Sequence, residues 1–295
     1  IWARRTNCKK DLTEFPNGKR IYPGLKDLQR NDKMIIDAHA HIYPEKIADK
    51  ATRAIGEFYD IKMEMPEGTS EKLIEEGKAA GITRFIVHSV ATKAAQVLAI
   101  NDFIIDECRK HSEFIGFMTL HEDLSEEEIN SEVKRCVAAG IKGIKLHPDF
   151  QKFYIDGENA EKMYIATEGL LPILFHTGDD RFDFSAPSRL AAIAKKHKDM
   201  RFIGAHFGGY RRWNETGVYK GLDNVFFDTS SSLPFIGEET AKRLIDLFGA
   251  ERFFFGTDFP MWNAEEELAR FDKIPLSVSD KEKILYKNAK EFLNL

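Results

Sequence analysis

Residues 35–44 read IIDAHAHIYP. Ile35 and Ile36 have the character of a buried strand, and Asp37 to His41 carry that strand outward. Side chains on a strand alternate faces with period two, so His39 and His41 point the same way, a few residues' rise from one another. Two imidazoles on one face of a strand end are either a metal's first two ligands or a coincidence. The rest of the chain decides between them.

From residue 34 onward, short β-branched and aromatic runs alternate with longer stretches of helical spacing. The predicted strands are 34–38, 84–88, 114–120, 141–146, 172–176, 201–206, 224–228 and 252–257. Between them lie amphipathic stretches such as IADKATRAIGEFY, SEKLIEEGKAAG, SEEEINSEVKRCVAAG and EETAKRLIDLFG. Ser125 before three glutamates is a start signal, and Gly140, Gly169 and Gly249 are stop signals. Eight strands, each followed by a helix, predict a (β/α)8 TIM barrel over residues 34–295. The interval after the first strand is longer than the others, which predicts an extra helix or lid there. A doubly wound sheet would need a glycine-rich phosphate loop after that strand, and DAHAHIYP is not one.

Residues 1–33 are polar, carry Pro16, Gly18, Pro23 and Gly24, and keep no period. They are expected to form an N-terminal arm outside the barrel. The opening IWARRTNCKK lacks the apolar core of a signal peptide. Cys8, Cys108 and Cys136 show neither disulfide nor zinc-ribbon spacing, so reduced thiols in a cytoplasmic protein are expected. A net charge of −5 provides no basic footprint for nucleic acid, and no apolar run reaches the ~18 residues of a membrane helix.

The nine histidines are not scattered. His111 and His197 sit at lysine-rich helix ends and read as surface residues. The other seven fall at the C-terminal ends of predicted strands: His39 and His41 on the first, His88 on the second, His121 after the third. His147 ends the fourth, His176 the fifth and His206 the sixth. Asp228 and Asp258 end the last two. All such ends face one mouth of a barrel, where active sites are built. Taken singly, His88, His121 and His147 are readily explained as hydrogen-bonded structural residues, and Asp228 as a supporting one. Neutral imidazoles and a carboxylate together suit a borderline divalent ion, zinc foremost and manganese as the alternative. Such an ion lowers the pKa of bound water toward ~7 and makes a nucleophile at neutral pH. Asp258 can then take up the proton, and His206 can polarise the substrate.

At this point the chain resembles a known group. IIDAHAHIYP, GIKLHP, LFHTG, FIGAHFGG and FFGTDFP, in this order, resemble the amidohydrolase superfamily. Within it, the resemblance is to the amidohydrolase-related branch that includes aminocarboxymuconate-semialdehyde and resorcylate decarboxylases. It covers residues 34–295. It implies a distorted TIM barrel with one divalent metal at its mouth, held by His39, His41, His176 and Asp258. His206 is then catalytic without direct ligation. Lys145 shares a strand face with His147 and could mimic the carboxylated lysine of two-metal members, although the decarboxylase-like branch works with one ion. Lys145, His147 and His88 are otherwise candidates for substrate contact.

Arg211 and Arg212 follow His206 and can grip a carboxylate by a bidentate fork. A small, carboxylate-bearing substrate is therefore expected. Its reaction is hydrolysis by metal hydroxide or, alternatively, non-oxidative decarboxylation of an unsaturated or aromatic acid. A ligand-binding barrel without activity would have lost ligand positions, and here all are filled. A homodimer is the commonest soluble assembly and is expected on that ground alone.

Overall fold

Eight parallel strands pair in chain order, β1 to β8, as a computed structural model that describes residues 34–295 apart from Pro66. They are β1 (Ile36–His41), β2 (Arg84–His88), β3 (Phe114–Met118), β4 (Gly143–Leu146), β5 (Ile173–Phe175), β6 (Phe202–Gly204), β7 (Val225–Asp228) and β8 (Phe253–Phe254). The expected arm, residues 1–33, lies outside the described residues.

The edge between β8 and β1 is closed less regularly. Ala38 N donates to Phe255 O at 2.8 Å, Asp258 N to His39 O at 2.8 Å and His41 N to Phe259 O at 2.7 Å. These bonds lie beyond the two residues of β8, so the barrel is distorted where the chain leaves its last strand. The predicted sixth and eighth strands were both too long. His206 lies in a short 3-10 turn instead, and Asp258 lies past its strand.

Strand residues sort into two cores by alternation. Ile36, Ala38, Ile86, Ile115, Phe117, Leu174, Ile203 and Phe254 fill the barrel interior. Phe85, Val87, Ile144, Leu146, Phe175, Phe202 and Phe253 face the surrounding helices. Lys145, between Ile144 and Leu146, therefore points inward. The same alternation turns His88, His176 and Asp228 inward, above the apolar layer. β1 needs a further device. Ile36 and Ala38 face in, yet Ala40 belongs to the outer core. The register against β2 shifts between Asp37 and Ala40, and this bulge brings His41 back to the interior.

The long first interval holds two helices, α1 (Glu45–Tyr59) and α2 (Ser70–Ala80), as the spacing predicted. α3 (Val97–Lys110), α4 (Glu126–Ala138), α5 (Pro148–Gln151), α6 (Glu161–Thr167), α7 (Pro187–Lys196), α8 (Leu233–Phe248), α9 (Ala264–Asp272), α10 (Val278–Glu282) and α11 (Asn288–Leu293) follow. Ser125 caps α4 in a full capping box with Glu128. Phe292 and Leu293 of α11 belong to the interior core and plug its floor. His197 corrects its reading as a surface residue: it is buried, 3.3 Å from Glu161 and edge-on to Tyr164. Among the described residues no helix is long and apolar enough to cross a membrane. Cys108 and Cys136 are free.

Candidate active site

Asp228, at the end of β7, organises the mouth. Its Oδ2 accepts from His39 Nδ1 at 2.8 Å. Its Oδ1 accepts from His206 N at 3.0 Å, Ser230 N at 3.1 Å and Ser230 Oγ at 2.5 Å. Burial alone would raise this carboxyl, but the charge of His39 and these hydrogen bonds hold it well below the usual range. A carboxylate on Nδ1 fixes the proton there and leaves the lone pair of Nε2 facing the mouth.

Three donor atoms meet at that point. Asp258 Oδ1 lies 3.3 Å from His39 Nε2 and 3.4 Å from His41 Nε2. Ligands about 2.0–2.1 Å from a tetrahedral ion are separated by about 3.3–3.4 Å, so Asp258 stands at ligand spacing from each of the two imidazoles. Burial pushes His39 down to about 4 and lowers His41 as well, so both are neutral at pH 7. Asp258 is held well below the ordinary carboxylate range; burial opposes this and the neighbouring His39 outweighs it. Ser231 Oγ donates to its Oδ2 at 2.5 Å. Neutral imidazoles beside an ionised carboxylate are the protonation states that a divalent metal takes. The donor set fits such an ion. Lys145 Nζ donates to the same His39 Nε2 at 3.0 Å and competes for its lone pair. Burial lowers the Lys145 ammonium to about 8.

The remaining histidines form a chain of contacts. The Ser230 carbonyl can only accept, so His206 Nδ1, 3.1 Å away, carries the hydrogen. His176 Nδ1 then donates to His206 Nε2 at 2.9 Å. That leaves His176 Nε2 as a lone pair, 3.6 Å from Asp149 and 3.5 Å from the Tyr59 hydroxyl. His147, stacked on His176 with ring centroids 4.0 Å apart, lies 2.9 Å from the same hydroxyl through Nε2. Donor atoms within ligand reach of one another thus fall into three groups among the described residues: His39, His41 and His88; His39, His206 and Asp258; His147, Asp149 and His176. The structure brings His176 against His206 rather than into the first two groups. His88 is fully buried, edge-on to His41, with both ring nitrogens unpartnered.

His206, Phe207 and Asp258 adopt left-handed backbone conformations, with φ of 62°, 55° and 59°. Each costs of order 1–3 kcal/mol for a side-chain-bearing residue. The bonds from His206 N to Asp228 and from Asp258 N to His39 O hold two of them in place.

Tyr59 is a component that sequence reasoning missed. It ends α1, and its ring reaches over the mouth to His147, His176 and Tyr210. Arg181 spans the Phe58 and Tyr59 rings and fixes this end of α1. With Tyr59, Met63 and Met261 in its walls, the cavity over His39, His41, Lys145, His176 and Asp258 measures about 20 Å³. That is room for one water or ion. Nothing in the run RAIGEFY marks Tyr59, apart from its place in the long first interval.

Arg211 and Arg212 do not line this cavity. Arg212 is engaged by Glu215 at 2.7 Å and faces Asp183 at 3.5 Å. Arg211 lies over the Phe235 ring, 3.8 Å from its centroid, behind Tyr210. His121 stays with its own loop, accepting from Asp123 N at 3.2 Å.

Comparison with known proteins identifies the family and the fold. A family model described as amidohydrolase matches residues 36–295. No curated protein matches the chain by sequence. Solved structures match its fold. An uncharacterised TIM-barrel protein from Bordetella bronchiseptica is 19% identical with a TM-score of 0.71, over 88% of this chain and 98% of that one. A dihydroxybenzoic acid decarboxylase from Polaromonas, with bound manganese and the inhibitor 2-nitroresorcinol, is 17% identical with a TM-score of 0.69, over 89% and 97%. A 5-carboxyvanillate decarboxylase from Novosphingobium aromaticivorans, complexed with manganese and a nitrobenzoic acid, is 17% identical with a TM-score of 0.67, over 89% and 96%. At these identities the likeness establishes the barrel. With the family model spanning almost all the described residues, and with a His/Asp donor set at the barrel mouth, the chain belongs to the amidohydrolase family and is an enzyme of that type.

Proposed function

We propose that this enzyme acts on a small carboxylic acid and releases its carboxyl group as carbon dioxide without oxidation. The observation that carries this reading is the set of donors His39, His41 and Asp258 beside a buried lysine in one closed cavity. The manganese-bound decarboxylases that share the fold support it. His39, His41 and Asp258 would hold one divalent ion, and His176, which bonds His206 in this structure, would turn from it to complete the set. Zinc suits a donor set of imidazole nitrogens and a carboxylate oxygen, and manganese is the alternative. Bound there, the ion supplies positive charge to an oxygen of the substrate.

The chain's own groups do the rest. The Lys145 ammonium, still largely protonated at pH 7, anchors the carboxylate. As the carbon–carboxylate bond breaks, its electron pair stays on carbon and carbon dioxide leaves. A proton then fills the site on carbon. His206, held by Ser230 and Asp228, would take that proton from solvent on Nε2, once His176 turns away from this nitrogen, and deliver it. Tyr59 closes the cavity and excludes water. His147 lines the pocket wall, and His88 packs behind it against His39 and His41.

Hydrolysis by an activated water is the second reading. The ionised Asp258, able to accept the water's proton, favours it, as does the family. We further assign the enzyme to the cytoplasm, as its free thiols Cys108 and Cys136 suggest, and to a homodimer.

Two measurements test the proposal. Zinc-loaded enzyme is incubated with 2,6-dihydroxybenzoate and 5-carboxyvanillate, and carbon dioxide is measured against His206→Ala. Release that disappears in the variant supports decarboxylation. No release, together with turnover of lactones or amides, moves the assignment to hydrolysis. Elemental analysis of enzyme purified without added metal should find about one ion per chain, lost in His176→Ala. Two ions would assign Lys145 as a bridging ligand instead.

A further inference from the structure

The reactive cavity is too small for any acid larger than a few atoms, so the substrate's bulk must lie elsewhere. A second cavity of about 650 Å³ shares three wall residues with it: His41, Ile55 and Phe150. It runs between α1 and α3. Ile47, Ala51 and Ala54 line one side, and Ala99, Ile100 and Phe103 the other. On α1 the spacing 47, 51, 54, 55, 58 makes one apolar stripe, and that stripe faces the groove. Ile47 is 49% exposed although it lies on the helix's apolar side. His41 forms the inner end. It is 9% exposed, more than His39, His88, His147, His176, His206 or Asp258. Solvent therefore touches the donor set at His41, where the groove meets it, and at Asp258.

We propose that this groove is the binding channel for an apolar tail of the substrate. The substrate class is then a carboxylic acid whose carboxylate sits by Lys145 and whose elongated alkyl or aryl group lies between α1 and α3. The volume is within the range of small-molecule sites, and the apolar walls with few polar groups match their composition. The alanines on the facing helices set the width of the channel and with it the length and girth of acid accepted. The inference rests on the carboxylate reading given above and adds the part that reading leaves open.

The test uses the zinc-loaded full chain and calorimetric titration with acetate, butanoate, hexanoate and octanoate. Affinity should rise about three- to fourfold per added methylene from butanoate onward. Ala54→Trp and Ala99→Trp each fill the channel from a solvent-exposed helix position, where folding tolerates the change. Both should flatten the rise and leave acetate binding unchanged. A matching series of 1-alkanols reads the groove without the carboxylate and should show the same slope. Flat slopes in both series, with acetate still bound, would overturn the channel and leave the carboxylate reading standing. That is also the result if a second copy or residues 1–33 cover the groove. Alkanol binding that rises with length while no acid binds would overturn the carboxylate reading and keep the groove as an apolar site. Slopes unchanged in both tryptophan variants would place the tail elsewhere and overturn the proposal.

Discussion

His39 is gripped on one ring nitrogen by Asp228 and offers the other to the mouth. The first contact decides the tautomer, and the tautomer decides whether a metal can bind. Asp228→Asn keeps the shape but removes the charge that holds the proton on Nδ1. Metal affinity should fall about 10–100-fold, measured by competition with a chromophoric chelator, while far-UV circular dichroism stays unchanged. An unchanged affinity would mean that Asp228 serves only the backbone of His206 and Ser230. Lys145 makes a different prediction. Lys145→Met keeps the stem and removes the ammonium, so metal content should stay at the wild-type level. KM for a carboxylate substrate should rise at least about tenfold, the loss expected for one charged hydrogen bond. At this scale the sequence was legible wherever a residue's strand position fixes its direction. His39 and His41 could be read because strand ends converge in a barrel, and His176, His206 and Asp258 because they follow their strands within a few residues. Tyr59 could not, because it enters from a helix that crosses the mouth, and no local pattern encodes that crossing. Arg211 and Arg212 failed to reach the cavity for a related reason: local partners, Phe235 and Glu215, take them first.

Between residues and fold stand the elements, where close approach replaces chemistry. α2 lies against β2 so tightly that a Cβ on Gly77 would sit 2.2 Å from the Phe85 ring. Gly77→Ala is a better helix former in isolation, yet it should destabilise the protein by about 1–3 kcal/mol through overpacking. Urea denaturation reads the sign directly, and a gain in stability would show that Phe85 can turn aside. α9 carries a second test. Burial raises Glu267 to about 7, although Arg270 lies at 2.5 Å from its Oε1. A carboxyl raised in the folded state binds its proton more tightly folded than unfolded. Its contribution to stability is therefore full below the unfolded value near 4.5 and is lost as pH rises toward 7. In Glu267→Gln that loss disappears. The melting temperature of the variant relative to wild type should increase steadily between pH 5 and pH 8. A difference independent of pH would mean that Glu267 is ionised throughout. The helices and their caps were legible, as the Ser125 box shows. The bulge in β1 was not. Period two places His39 and His41 together, but only the shift between Asp37 and Ala40 brings both to the mouth while Ile36 and Ala38 stay in the core.

For the molecule as a whole, the site and the barrel are stabilised by separate means. The interior layer of Ile36, Ile86, Ile115, Leu174, Ile203 and Phe254, floored by Phe292, is apolar and holds no donor of the site. The βα alternation that builds it was legible because each strand and helix carries its own period. The closing edge was not, since β8 contributes two residues and the pairing with β1 continues through irregular backbone. That edge carries Asp258 on one side and His39 and His41 on the other, so an ion bound there ties the first strand to the last. Removing it should loosen the seam without melting the barrel. A metal at about 100 times its dissociation constant adds about 2.7 kcal/mol. For a domain of this size that corresponds to about 5 °C in melting temperature. A chelator should therefore lower the calorimetric midpoint by about that amount while the far-UV spectrum at 25 °C stays the same, and stoichiometric zinc should restore it. Collapse of the far-UV signal on chelation would instead mean that the barrel cannot close without its ion.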